Sequence, residues 1–130
     1  MALHNQLGRI GEEEACRYLT ARRYHLLSRN WRVGHLEIDI VADYFGELVF
    51  VEVKTRRSED FMPAAQAVDQ EKRRNLLAAA RAYVQQHGLD QPVRFDVITV
   101  VGEARPYAVT HKINAFSAET MALEERGWRL

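Results

Sequence analysis

The 130-residue chain has one cysteine, three prolines and seven glycines, and its formal net charge is zero, with 18 basic residues set against 18 acidic ones. A lone Cys16 can neither close an internal disulfide nor supply a multi-cysteine zinc site. No run of about 20 apolar residues is present, which argues against a membrane span. A basic stretch followed by an apolar one is missing from the N-terminus, so a secretory signal is not expected. These features together fit a cytoplasmic protein. Charge balance excludes a cationic coat for nucleic acid, although a local basic patch remains compatible with it. No Gly-rich phosphate loop, dinucleotide fingerprint or serine elbow occurs, which argues against NTP-driven and acyl-transfer chemistry.

What is present suits one globular unit spanning 1–130, with 117–130 a loosely packed tail. Apolar residues make up 47% of the chain and charged residues 28%. A chain of this length buries about two-thirds of its unfolded surface, enough for a core. Leu7, Ile10, Ala15, Tyr18 and Leu19 recur at helical spacing between His4 and Arg23. Strands are expected at Tyr24–Trp31, Leu36–Asp43 and Leu48–Thr55, the last two joined by a hairpin turn over Tyr44-Phe45-Gly46-Glu47. Arg56–Met62 reads as loop. Ala64–Gln86 reads as a long helix whose buried stripe holds Leu76, Leu77, Ala79, Ala80, Tyr83 and Val84, with Gly88 as its stop. Val93–Val101 is a buried-type strand and Tyr107–Ile113 a further one; Asn114–Leu130 is a short helix or loose. The order α-β-β-β-α-β, with one further strand, predicts an α/β fold with a mixed sheet flanked by helices.

The hairpin carries the chemistry. An even loop centred between Phe45 and Gly46 makes paired positions sum to 91. Asp39 then faces Glu52, Glu37 faces Lys54 and Val41 faces Phe50. An odd loop would mix charged and apolar side chains on one face, so the hydrophobic pattern selects the even register. One face then holds Leu36, Ile38, Ile40, Val49, Val51 and Val53 as core. The other is apolar near the turn (Val41, Leu48, Phe50) and charged away from it (Glu37, Asp39, Glu52, Lys54, Arg56), which suggests packing at one end and a cleft at the other. Opposed carboxylates about 5 Å apart repel by roughly 3 kcal/mol at an effective dielectric of 20. Lys54 offsets part of this, and a divalent cation held by two carboxylates, water and phosphate would offset more. The plainer reading is a surface ion-pair ladder in which Glu37–Lys54 is the favourable pair.

The spacing Asp39, twelve residues, Glu52-Val53-Lys54 is similar to the PD-(D/E)xK pattern of restriction-endonuclease-like nucleases. The wider set resembles the YraN-type uncharacterised bacterial family, related to archaeal Holliday junction resolvases. Its matching stretches are Gly8 to Glu12, Ala15, Tyr18-Leu19, Asn30, Glu37-Ile38-Asp39, Phe50 to Lys54, Ala67-Val68, Lys72 and Arg94-Phe95-Asp96. The resemblance implies a restriction-endonuclease-like fold, Asp39 and Glu52 as ligands of Mg²⁺ or Mn²⁺, the Val53 carbonyl as a further ligand, and Lys54 as the residue that orients or activates water. It adds Glu12 as an acidic site residue, which periodicity alone would not choose. The pattern's proline is Ile38 here, and the glycine often found before its acidic run is Leu36.

The expected activity is metal-dependent phosphodiester hydrolysis on DNA, branched or structured. The alternatives are a non-catalytic nucleic-acid-binding module on the same fold, and a protein-interaction or dimerisation module. A homodimer is an expectation of the resemblance. Glu37, Arg56 and Lys72 are candidate substrate contacts, with Arg57, Arg73 and Arg74 near them. Gln66 and Gln70 suit substrate contacts or ordinary helix polarity equally. His35 reads as a rim residue, Cys16 as a small packing residue, Trp31 and Tyr44 as core or turn packing, and Asp96 as a structural or strand-end acid.

Overall fold

A computed structural model describes residues 3–58 and 70–119. Helix α1 (Leu3–Ala21) leads into strands β1 (His25–Val33), β2 (Leu36–Tyr44) and β3 (Glu47–Arg56); helix α2 (Gln70–His87) then precedes β4 (Val93–Val101) and β5 (Ala108–Phe116). The five strands form one sheet in sequence order. β3 and β4 are parallel and every other neighbouring pair is antiparallel. The expected α/β architecture with a mixed sheet is therefore present. β5 begins at Ala108 and runs to Phe116, past the anticipated end at Ile113. The predicted helix start at 64–69, Gln66, the Ala67-Val68 match and the end of the C-terminal tail lie outside the described residues. No helix among the described residues is long and apolar enough to cross a membrane.

The turns are set by residues that tolerate positive φ. Phe45 (φ 50°) and Gly46 (φ 90°) form the two-residue β2–β3 loop, the geometry whose twist matches antiparallel strands. Gly88 (φ 61°) closes α2. There the Leu89 N–H reaches the Val84 carbonyl and the Gly88 N–H the Gln85 carbonyl, satisfying carbonyls that a helix end leaves unpaired. α1 ends in the same way, with Arg23 (φ 71°) in the position glycine usually takes.

Each face of the sheet buries its own cluster. Against α2 lie Ile38, Val41, Leu48, Phe50, Phe95, Val97 and Phe116 with Leu76, Ala79, Ala80 and Tyr83. Against α1 lie Ile40, Ala42, Val49, Val51, Ile98 and Val100 with Ala15, Cys16, Leu19 and Tyr24. Trp31 and Tyr44 pack at the margins of these clusters, as expected of them. The single-face core predicted for β2 needs correction. Leu36 and Ile38 join the α2 side, whereas Ile40 joins the α1 side. The changeover falls at Asp39, opposite Asn30, whose φ of 52° breaks the β1 pleat and whose rung with Asp39 is missing from an otherwise continuous local register.

The stripe of α1 also differs from expectation: Ile10 is 41% exposed and Gly11 is buried in its place. Gly11 lies so close to β3 that a Cβ there would collide with the Thr55 side chain. Small residues at Gly11 and Ala15 let the helix settle on the sheet, which periodicity of large apolar residues could not reveal.

Asp96 is an interior residue of β4, fully buried, and this replaces the strand-end alternative. It accepts hydrogen bonds from Arg94 Nε (2.9 Å) and Nη2 (2.8 Å) and from the Asn114 N–H (3.0 Å), and His111 Nε2 lies 2.6 Å away. Arg94 also donates to the Tyr24 hydroxyl at 2.6 Å and to Glu47 at 3.1 Å. Burial opposes ionisation of Asp96, but His111, Arg94 and the Asn114 N–H outweigh it and hold the carboxyl below its usual range. The acid also fills an irregularity in the ladder, because β4–β5 register shifts between Phe95 and Val97.

Two substitutions test these contacts by chemical denaturation. Gly11→Ala should cost about 1–3 kcal/mol through overpacking, while Gly8→Ala, with open space around it, should be neutral or gain up to about 1 kcal/mol of helix propensity. Asp96→Ala should cost about 3–5 kcal/mol, because it removes the bidentate partner of the buried Arg94, leaving it Glu47 as its remaining carboxylate, and takes the acceptor from the Asn114 N–H.

Candidate functional site: an acidic cleft where two strands part

The β2–β3 register follows the expected sum of 91 from Tyr44–Glu47 to Ile40–Val51 and then stops. Asp39 and Glu52 are the next pair in that series, but they do not form a ladder rung. The Asp39 carboxylate replaces it: Oδ2 accepts the Val53 N–H at 2.8 Å. Both acids nevertheless line one cleft of about 290 Å³, together with His35, Leu36, Glu37, Lys72, Asn75 and Leu76. The strands part there, and β2 and β3 supply the floor while α2 supplies one wall.

Glu52 is only 5% exposed at its side chain, and two ammonium groups reach the same oxygen of it: Lys72 Nζ at 3.0 Å and Lys54 Nζ at 3.4 Å from Oε1. The expected Glu37–Lys54 pair is not formed. Glu37 instead meets Arg32 at 3.3 Å, its partner across the β1–β2 ladder, because β2 and β3 no longer run side by side at that level. The charge ladder along the hairpin is thereby replaced by a knot of charge around one buried acid.

Protonation follows from burial. Asp39 is pushed up to about 8, first by burial and then by the neighbouring Glu52 charge, against the stabilising Val53 N–H. Lys54 is pushed down by burial, with Glu52 opposing. Lys72 is also penalised by burial, but Glu52 prevails and raises it. Glu12 is raised chiefly by burial; a hydrogen bond from Asn30 acts the other way, and the charges of Glu37 and Glu52 add to the rise.

The sequence candidates thus separate. Asp39, Glu52, Glu37 and Lys72 share the cleft, with His35 beside them, and Lys54 touches Glu52. Glu12 does not line the cleft, but the close approach of Gly11 to Thr55 brings it within charge range of Glu52, Glu37 and Asp39. Arg56 and Arg57 line a separate hollow with Leu7, Gly8, Val53, Thr55 and Ser58. Arg73 is directed elsewhere, its guanidinium 5.6 Å from the Phe116 ring. Asn75 and Asn30 acquire roles that the sequence reading did not give them. Asn75 was accessible to it, since it follows Lys72 by three residues and precedes the buried Leu76, so both polar residues flank one stripe. Asn30 was not, because nothing in its neighbours signals a left-handed residue inside a strand.

Comparison with known proteins now bears on this arrangement. The model of a family described as "Uncharacterised protein family UPF0102" matches residues 11–100, from the buried end of α1 through most of β4. The chain belongs to this family. A UPF0102 protein of Phocaeicola vulgatus is 46% identical over 116 residues, covering 89% of this chain and 96% of its own. One from Bacteroides fragilis is 47% identical over 116 residues with the same coverage, and one from Oleidesulfovibrio alaskensis is 45% identical over 103 residues, 78% of this chain and 51% of its own. The UPF0102 match contains Glu12, Asp39, Glu52, Lys54 and Lys72 within its bounds.

The donor set suits a hard divalent cation. Among the described residues no group of three or more His, Cys, Asp and Glu is placed to cage a metal. Two carboxylates are nevertheless the usual protein share for Mg²⁺, which keeps several waters and takes phosphate oxygens. A half-buried aspartate beside a buried glutamate is also an arrangement that a cation relieves, since burial and the Glu52 charge both oppose ionisation of Asp39.

The titration of Asp39 has a measurable consequence. The folded chain holds this proton up to about pH 8, whereas the unfolded chain loses it near 3.8. The folded state binds more protons across that interval, so stability should fall as pH rises through it and level off above. Asp39→Asn should remove this component and exceed the wild type in stability at pH 8; denaturant titrations at pH 5.5, 7 and 8 measure it.

Proposed function

We propose that the chain is a divalent-cation-dependent nuclease-like protein that hydrolyses phosphodiester bonds of DNA, with branched or structured DNA as the substrate class. The observation that carries this reading is the half-buried Asp39 and the buried Glu52 lining one cleft, with Lys54 on Glu52. The cytoplasmic setting and the homodimer expected from the resolvase resemblance belong to the same proposal.

In this reading Asp39 and Glu52 hold Mg²⁺ or Mn²⁺, and the Val53 carbonyl is a third protein donor. The ion would polarise the phosphodiester and offset charge developing on its oxygens. Lys54, on the same strand and shielded, positions the attacking water by donating a hydrogen bond. Its lowered affinity for the proton suits it to exchange one with that water. Glu12, outside the cleft lining but within charge range of its acids, adds to the negative field that draws the cation. Glu37 and Lys72 border the cleft, so a phosphate backbone entering it would meet the Lys72 ammonium, and Arg56 offers a further cation in a separate hollow.

A second reading is non-catalytic nucleic-acid binding. It is favoured by the ammonium pair on Glu52, which already neutralises that acid. A substrate panel separates the two. Linear duplex, single strand and four-way junction DNA are incubated with Mg²⁺ or Mn²⁺. The nuclease reading predicts cutting of at least one, reduced about 10²-fold or more by Asp39→Asn, Glu52→Gln and Lys54→Met. Cutting that survives both Asp39→Asn and Lys54→Met would reject this site. Salt-sensitive binding with no cutting of any substrate would favour the binding module.

A further inference from the structure

The two ammonium groups on Glu52 are held in very different ways. Lys54 comes from β3, two residues along from the acid, and its side chain is 15% exposed. Lys72 comes from the start of α2, across the cleft, and its side chain is 49% exposed although its Nζ lies closer, 3.0 Å from Oε1. Both therefore sit on the same oxygen of Glu52, Oε1. A divalent cation approaching that oxygen meets two like charges at contact distance, and the three cannot share it without strong repulsion. A cation that takes Glu52 through Oε1 therefore displaces one ammonium. Lys54 is enclosed, so moving it away would leave a buried charge without its partner. Lys72 already has half its side chain in water, on a long and flexible stem that can carry its ammonium toward the rim.

We infer that Lys72 is an exchangeable counter-ion. It neutralises Glu52 in the cation-free chain; when a divalent cation takes Glu52, its ammonium is released to the cleft rim and becomes a contact for a phosphate of the nucleic-acid strand. The inference rests on the nuclease reading of this site and adds a linkage to it. Cation binding sets free a positive charge for the strand. A strand that draws Lys72 outward in turn uncovers Glu52 for the cation. Each ligand thereby strengthens the other by the same factor. Without a polyanion nearby, the cleft holds the cation weakly because Lys72 competes for the oxygen.

The remaining charged and polar groups of the cleft do not take over this part. Glu37 is engaged by Arg32, Asp39 accepts the Val53 N–H, and Asn75 carries no charge to release. Arg56 and Arg57 line a separate hollow, so they can bind phosphate without competing for Glu52.

The test measures binding in the full chain, independently of cleavage. Mn²⁺ alone is titrated calorimetrically into the wild type, Lys72→Met, Lys72→Gln and Glu52→Gln, with folding followed by circular dichroism. A phosphorothioate DNA duplex, chosen to resist cleavage, is then titrated with and without Mn²⁺. Lys72→Met and Lys72→Gln should bind Mn²⁺ about two- to fivefold more tightly than the wild type, the range that a partly exposed ion pair supports. The gain in DNA affinity that Mn²⁺ confers should shrink in both. Unchanged or weaker Mn²⁺ binding in both Lys72 variants, with Glu52→Gln abolishing it, would overturn the exchange and leave the cation site standing. Absence of Mn²⁺ binding in the wild type and in the Lys72 variants would overturn the exchange and the nuclease reading together.

Discussion

The acceptance of the Val53 N–H by the Asp39 carboxylate decides how the rest of the site is built. In a continuous hairpin that N–H would go to a backbone carbonyl of β2. A side-chain oxygen takes it here, and β2 and β3 part at that level. The gap lets acids from two strands and a lysine from α2 share one volume. The same hydrogen bond keeps a buried carboxyl in place although burial and Glu52 both oppose its charge. The group whose hydrogen bond accompanies the opening of the sheet is also one whose charge is opposed by burial and by Glu52.

The sheet contains another aspartate in a ladder irregularity, this one fully buried, and the contrast is instructive. Asp96 also accepts an N–H from a neighbouring strand where the ladder is irregular. It is matched by a guanidinium and by His111, so its charge is satisfied from within. Asp39 has one backbone donor and a like-charged neighbour. Identical side chains in one sheet therefore differ in what they ask of their surroundings. One is closed and structural, and the other is open to a cleft and chemically incomplete.

Much of this was legible in the residues. Turn chemistry at Phe45-Gly46 and the apolar alternation around it fixed the hairpin register, because a one-residue slip would have exposed a whole face. Element order followed from periodicity, and β4 ends where the sequence places it. The reading failed where a side chain overrode a backbone rule. Alternation could not foresee that β2 changes face at Asp39, since the cause lies in a hydrogen bond to β3 and in a left-handed Asn30 on β1. The stripe of α1 was misread at Ile10 because glycine carries no hydrophobic signal, yet Gly11 governs how near the helix comes to Thr55. The alternative of an ion-pair ladder needs Glu37 opposite Lys54; once the strands part, Glu37 meets Arg32 instead. The basic run around the loop also dispersed, since its members belong to separate elements facing separate hollows.

The account depends on a divalent cation bridging the two acids. The most direct measurement follows the side-chain carboxyl carbons of Asp39 and Glu52 by NMR while Mg²⁺ is added at pH 7. The account predicts that both resonances move together along one saturating curve, with a proton released as Asp39 ionises. Resonances that stay fixed at millimolar Mg²⁺ in a folded chain, or a shift confined to one of the two, would contradict it.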